Sequence, residues 1–194
     1  PAGRNAVLVG FEFLIQDPAR RREMRLNFYL RGLNKTEDPK AENELVGPNG
    51  EIVGRVKNGR PKFFPDYYVI PMILDKDNDA QEAFNMIDYF KRNGVLVKEL
   101  KEDIGNYKKG DLVIDMAQAK RGYANHILYK GSNESAWAAM YAELLVNFPD
   151  MRGFKSEPVF ADGLFNGKLG EVTTTRATRT SEIDPKAPYY VIAN

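Results

Sequence analysis

The chain has 194 residues, 43% hydrophobic, 28% charged and 11% aromatic, a globular composition long enough to bury a core without a metal or disulfide staple. Its 28 Lys and Arg face 27 Asp and Glu, with no like-charge run longer than Arg20-Arg21-Arg22, so an electrostatic nucleic-acid footprint is not expected. The absence of cysteine excludes thiolate catalysis, thiolate zinc sites and iron–sulfur clusters within these residues and leaves the compartment open.

The sequence starts at Pro1 with no charged and apolar leader behind it, which reads as a processed or excised start. Residues 5–15, Asn-Ala-Val-Leu-Val-Gly-Phe-Glu-Phe-Leu-Ile, predict a strand that needs neighbours on both sides, so the domain is expected to begin earlier. Broken by Gly10 and Glu12, this stretch is also far short of the ~20 apolar residues that a membrane span requires. On a strand, Val7, Val9, Phe11, Phe13 and Ile15 share one face, and Leu8, Gly10, Glu12 and Leu14 share the other. A carboxylate there costs several kcal/mol unless it is paired, protonated or facing a cleft. Glu12 is therefore either a general base whose proton affinity burial has raised or half of a buried pair with an arginine.

Asp17-Pro18 supplies a helix start, with Asp17 as cap and Pro18 at the first helical position. The helix is predicted to run to about Arg31, with Leu26, Tyr29, Leu30 and Leu33 as its buried stripe and residues 20–23 in water. Residues 35–64 are polar and rich in Gly and Pro, a connector able to hold a short hairpin strand over 51–56.

From 67 to 100 the pattern reads strand, helix, strand. Residues 67–74 form the first strand, Asp79 and Glu82 start the helix, Ala83, Met86, Ile87 and Phe90 line its apolar face, and Asn93-Gly94 ends it. Such a βαβ unit predicts parallel strands joined by a right-handed crossover, with Pro71 marking an edge or bulge. A strand over 112–116, a helical stretch over 118–129, a helix carrying Trp137, Met140, Tyr141, Leu144 and Leu145 that stops at Phe148-Pro149, and β-prone pieces near 158–160, 170–180 and 189–193 complete the chain. The expected class is α/β: a mostly parallel sheet with flanking helices.

Chemistry-bearing motifs are few. His126 is the single histidine, so neither a histidine zinc site nor a Ser-His-Asp triad can be assembled here, and a structural role is expected. Asp75-Lys-Asp77-Asn-Asp79 imitates the opening of a calcium loop, but Ala80 and Met86 stand where glycine and a bidentate glutamate belong. There is no Gly-x-Gly-x-x-Gly and no phosphate-binding loop. Gln118, Lys120, Arg121 and Asn125 follow a strand of the expected parallel sheet, the usual place for a ligand crevice, and read either as weak anion binders or as a capped, solvated turn.

Five segments in order carry a family resemblance. They are Phe63-Phe64-Pro-Asp-Tyr-Tyr-Val-Ile-Pro71; Glu82-Ala-Phe-Asn-Met-Ile-Asp-Tyr-Phe90 with Asn93-Gly94-Val95; Met116-Ala-Gln-Ala-Lys-Arg-Gly-Tyr-Ala-Asn125 with Leu128-Tyr129; Trp137 with Met140-Tyr-Ala-Glu143; and Phe148-Pro-Asp-Met-Arg-Gly-Phe154. Together, over roughly residues 11–172, the chain resembles the C-terminal region of large bacterial zinc metallocarboxypeptidases of the carboxypeptidase A-like family. The resemblance implies that Glu12, in Gly10-Phe-Glu-Phe-Leu14, is the general base toward a zinc-bound water. It also implies that residues 1–34 are the last strand and helix of a catalytic domain, 35–64 a connector, and 65–194 an accessory domain resembling the class I glutamine amidotransferase-like fold.

The family's His-x-x-Glu and second zinc histidine are absent from the chain, and in the family the arginines that hold a substrate carboxylate lie upstream. The implied protein is therefore the C-terminal portion of a secreted enzyme, extracellular or at the cell surface. It has no cofactor of its own and takes zinc in the complete enzyme, with an upstream catalytic segment and a peptide substrate as partners. The alternative is a non-catalytic interaction or assembly module released from a larger precursor, whose apolar first segment pairs with another chain or with a copy of itself as a homo-oligomer.

Overall fold

The computed structural model describes residues 2–37, 61–72, 79–130, 146–173, 186 and 188. The expected hairpin strand over 51–56, the calcium-loop imitation before Asp79, the Trp137 helix up to residue 145 and the last strand over 189–193 lie outside the described residues.

The first element, α1 (Ala2–Gln16), is a helix, not the predicted strand. Its β-branched and aromatic residues favour a strand, but it pairs with none of the strands in the described sheet. An unpaired backbone satisfies its own N–H and C=O groups most completely as a helix, and Ala, Leu, Glu and Gln in this run permit one. The helix α2 (Pro18–Leu33) starts as expected, the Asp17 carboxylate accepting from the Arg20 backbone N–H at 2.9 Å. Its predicted apolar stripe stays in solvent: Leu26, Leu30 and Leu33 are exposed, while Tyr29 is half-buried and Gly32 fully so.

The remaining elements are β1 (Tyr67–Ile70), α3 (Ala80–Arg92), β2 (Lys98–Leu100), β3 (Leu112–Asp115), α4 (Arg121–Leu128), the short α5 (Phe148–Arg152), β4 (Glu157–Val159) and β5 (Leu169–Gly170). The sheet has five strands in the order β4-β1-β3-β2-β5, and every pairing is antiparallel. This corrects the expected parallel sheet. Since β1 and β2 each run antiparallel to β3, they point the same way, but β3 lies between them and takes the hydrogen bonds that a parallel pair would have made.

The cause is local. The chain after β2 reverses at Ile104–Tyr107, which exchange backbone hydrogen bonds at 3.0 Å with Gly105 at φ +57°, and a second turn at Lys108 to Asp111, with Gly110 at φ +96°, brings β3 back along β2. Gly110 N–H donates to Leu100 O at 2.8 Å and Leu100 N–H to Asp111 O at 2.9 Å, closing the connection over residues 101–111 onto the end of β2. The helix α3 connects β1 to β2 much as the periodicity requires. The Asp79 carboxylate accepts from Gln81 and Glu82 N–H at 2.9 and 3.2 Å, and Ala83, Met86, Ile87 and Phe90 are buried. Strand β1 ends at Ile70, one residue before Pro71, whose missing N–H could not continue a central ladder; Pro158 is tolerated because β4 is an edge.

Alternation along the strands makes two cores. Tyr68, Ile70, Leu112, Ile114 and Met116 face α3, α4 and Phe154. Tyr67, Val69, Leu100, Val113 and Val159 face the opposite way, covered by Phe165, whose ring meets those of Tyr67 and Tyr107 edge-on at 4.9 and 5.4 Å.

Candidate functional site: the helical arm and its seat

The turn from β3 and the helix α4 that follows it hold the four residues expected to line a ligand crevice, Gln118 and Lys120 before the helix and Arg121 and Asn125 within it, and each has a protein partner. Gln118 is buried, its amide donating to Asp115 O at 2.6 Å and Leu96 O at 3.3 Å and accepting from Leu96 N–H at 2.9 Å. Asn125 accepts the Tyr68 hydroxyl proton at 2.9 Å inside the core. Arg121 lies over the Phe64 ring at 4.2 Å and donates from Nη2 to Thr36 O at 2.7 Å. Lys120 sits 5.4 Å from the centre of the Tyr29 ring.

These contacts seat the C-terminal half of α2. Gly32 packs so closely on the turn that a Cβ there would stand 2.5 Å from Gln118 O. One at Gly122 would stand 3.0 Å from the edge of Phe28. Just beyond α2, Lys35 adopts φ +52° and reaches three partners: Asp162 at 2.7 Å, Asp66 at 3.6 Å and the face of Tyr67 at 4.9 Å. Partial burial alone would lower the proton affinity of Lys35; the Asp162 hydrogen bond and the fields of Asp115 and Asp162 outweigh it, so the ammonium is held above its ordinary range. Sequence reading missed this seat. Its one legible signal was Gly32, read there as a helix end and used in the structure for close approach.

The other half of the arm projects from the seat with its apolar residues bare. Val7, Phe11, Phe13 and Ile15 are 57%, 59%, 68% and 74% exposed. Glu12 lies among them on α1, exposed, accepting from Gln16 Nε2 at 3.2 Å. The strand that would have enclosed Glu12 in apolar surroundings is not formed, so any catalytic part for it stands on the resemblance alone. Where α1 meets α2, Arg21 Nη1 donates to Phe13 O at 2.9 Å. A cleft of about 580 Å³ opens there, lined by Phe13, Pro18, Arg21, Arg22, Met24 and Arg25.

The donor set does not fit a catalytic zinc by itself. His126 is the chain's single histidine, half-buried on α4, and no group of three or more His, Cys, Asp or Glu side chains converges among the described residues. No described helix is long and apolar enough to cross a membrane. Elsewhere, Tyr89 and Tyr123 share a hydroxyl–hydroxyl hydrogen bond of 2.6 Å, and burial together with that bond pushes the Tyr123 phenol up to about 12. Comparisons of the chain with protein families, with curated proteins and with solved structures found no match.

Proposed function

We propose that the chain is the C-terminal portion of a secreted zinc-dependent carboxypeptidase acting on peptides. In this reading residues 1–34 belong to the catalytic body, 35–64 connect, and 65–194 form an accessory α/β domain. One observation carries it: an arm of two helices that leaves Val7, Phe11, Phe13, Ile15, Met24, Leu26 and Phe28 exposed beside a sheet unit with its own two-sided core. So many large apolar side chains exposed on one arm point to a protein interface. The ordered motifs name its occupant as the upstream segment that would bring the zinc ligands, with Glu12 as the general base of the joined site.

The test is complementation. Combined with an upstream segment carrying His-x-x-Glu and a second histidine, the chain is expected to support zinc-dependent release of C-terminal residues from a peptide. Glu12→Gln is expected to abolish that release with association intact. Unchanged activity in Glu12→Gln removes the base assignment, and no activity in any combination removes the carboxypeptidase reading.

The same bare surface favours a second reading, a non-catalytic assembly module whose partner is a further copy of the chain. It predicts concentration-dependent oligomers in analytical ultracentrifugation that Phe11→Lys dissolves. A monomer at all concentrations rejects it.

A further inference from the structure

We infer that the cleft at the α1–α2 elbow is a recognition pocket for an acidic protein segment, one that inserts an apolar side chain and sets carboxylates against the rim. The inference deepens the reading of the arm as a docking surface and rests on it.

The charge distribution is uneven. From Ala2 to Leu33 the arm has six arginines against three carboxylates, whereas the whole chain has a formal net charge of only +1. The three carboxylates are Glu12 and Asp17, which accept from the Gln16 amide and the Arg20 N–H, and Glu23, and none of them lines the cleft. Arg21, Arg22 and Arg25 all do. Arg21 and Arg22 each direct one N–H to a backbone carbonyl, Phe13 O at 2.9 Å and Pro18 O at 3.4 Å, partners that orient a guanidinium without neutralising it. Among the described residues none of the three forms an ion pair.

The other three lining residues are different in kind. Phe13, Pro18 and Met24 supply apolar surface with no polar side chain among them, and Phe13 and Met24 are 68% and 60% exposed. A cleft of about 580 Å³ accommodates a Leu or Phe side chain with its flanking backbone. Guanidinium groups around an apolar socket match carboxylates on either side of an apolar anchor, because arginine pairs bidentately with carboxylate and the anchor supplies the buried area. A flat anionic bilayer would have to meet a continuous apolar face bordered by cations, whereas here three arginines share one cleft with Phe13, Pro18 and Met24.

The probe is a fluorescein-labelled peptide, Asp-Glu-Asp-Leu-Phe-Glu-Asp, capped at its C-terminus and titrated into the intact chain by fluorescence anisotropy. Binding is expected, weakened about tenfold in Arg21→Glu/Arg25→Glu and falling as NaCl rises. Replacing Leu-Phe by Gly-Gly is expected to cost at least about tenfold, and Arg21→Gln/Arg25→Gln a smaller loss in the same direction. Arg4→Glu, on the same arm outside the cleft, is expected to change affinity by less than about twofold.

Peptide binding that is absent, or equal in wild type and both arginine double variants, overturns the inference. So does binding to phosphatidylserine vesicles without binding to the peptide, which would assign the arm to a lipid surface. Complementation separates the two levels. Zinc-dependent activity unaffected by the arginine variants, with the peptide unbound, removes the pocket alone; peptide binding without activity in any combination removes the carboxypeptidase partner and leaves the pocket.

Discussion

The arm and the sheet unit draw on the same side chains and put them to opposite use. In β1 and β3, Val69, Val113 and Ile114 are completely buried, yet Val7, Phe11, Phe13 and Ile15 in an equally apolar run stand mostly in water. The difference is in what each segment finds to pair with. The sheet residues satisfy their backbones through neighbouring strands and their side chains through helices on one face and Phe165 on the other. The arm satisfies its backbone internally as helix and its side chains hardly at all. Local hydrogen bonding can thus be complete where packing is not, and an apolar sequence reports a demand for burial without saying who meets it.

The largest effects should come from exchanging the two situations. Phe90→Ala removes a ring buried between α3 and the sheet and is expected to cost about 3–5 kcal/mol in urea unfolding. Phe13→Ala is expected to change stability by less than about 0.5 kcal/mol in the isolated chain, since nothing packs over it. A comparable loss at Phe13 would mean that the arm is folded into a core, and the contrast would fail.

The seat between the two regions gives the next effect. Gly32→Ala places a methyl 2.5 Å from Gln118 O, a backbone atom that accepts the Arg121 N–H at 3.1 Å, so α2 must shift away. A loss of about 1–3 kcal/mol is expected, expressed as faster amide exchange in α2 while exchange in β1 and β3 stays unchanged. Gly122→Ala meets only the edge of the Phe28 ring at 3.0 Å, on a half-exposed side chain that can turn, and should be milder. Equal exchange in α2 for wild type and Gly32→Ala would show that the arm is not held at this turn.

How far the sequence led follows the same division. Caps and periodicity were readable wherever an element is satisfied locally: Asp17 and Asp79 cap as expected and α3 buries the four residues named for it, whereas β1, expected over 67–74 with Pro71 at an edge or bulge, ends at Ile70 between two strands. Sheet direction was not readable, because strand, helix, strand is the same pattern whether or not a third strand slips between the two. What decides it is the pair of turns at Gly105 and Gly110, whose consequence is a pairing between β2 and β3 rather than a periodicity. The site fared worst. The strand reading of Glu12 assumed neighbours that no described strand supplies, and Gln118, Arg121 and Asn125, polar residues around the start of α4, gave no sign that their partners would be Leu96, Thr36 and Tyr68.

A pH change distinguishes the two regions further. Glu99 is buried in the sheet, and burial alone would raise its proton affinity; the Thr173 N–H at 2.9 Å, Lys101 at 3.2 Å and the Thr173 hydroxyl together outweigh that and hold its carboxyl below the usual range. A depressed carboxylate contributes stability that is present above its unfolded value near 4.5 and is lost as pH falls through its folded value. Unfolding below pH 4.5 should therefore be less steep in Glu99→Gln, which at neutral pH is expected to cost about 1 kcal/mol through weakened attachment of the segment after β5. An unchanged acid limb would show that this carboxylate titrates alike in folded and unfolded chains.

The smallest expected effect lies where arm meets sheet unit. The Asp162 carboxyl is held below the usual carboxylate range by the hydrogen bond from Lys35 and by that ammonium's charge. Acid should therefore weaken this tie, the contribution being present above the unfolded carboxylate value and lost as pH falls through the folded one. The pair is exposed on the Asp162 side, and Lys35 keeps Asp66 at 3.6 Å and the Tyr67 face at 4.9 Å when Asp162 is neutral. Asp162→Asn should accordingly leave the urea midpoint unmoved and speed amide exchange only around residues 33–37. Lys35→Met, which removes all three attachments at once from a residue held at positive φ, should extend that faster exchange back along α2 toward Phe28. Exchange that spreads equally far in both variants would mean that Asp162 alone ties the arm down, and that the Asp66 and Tyr67 contacts hold nothing.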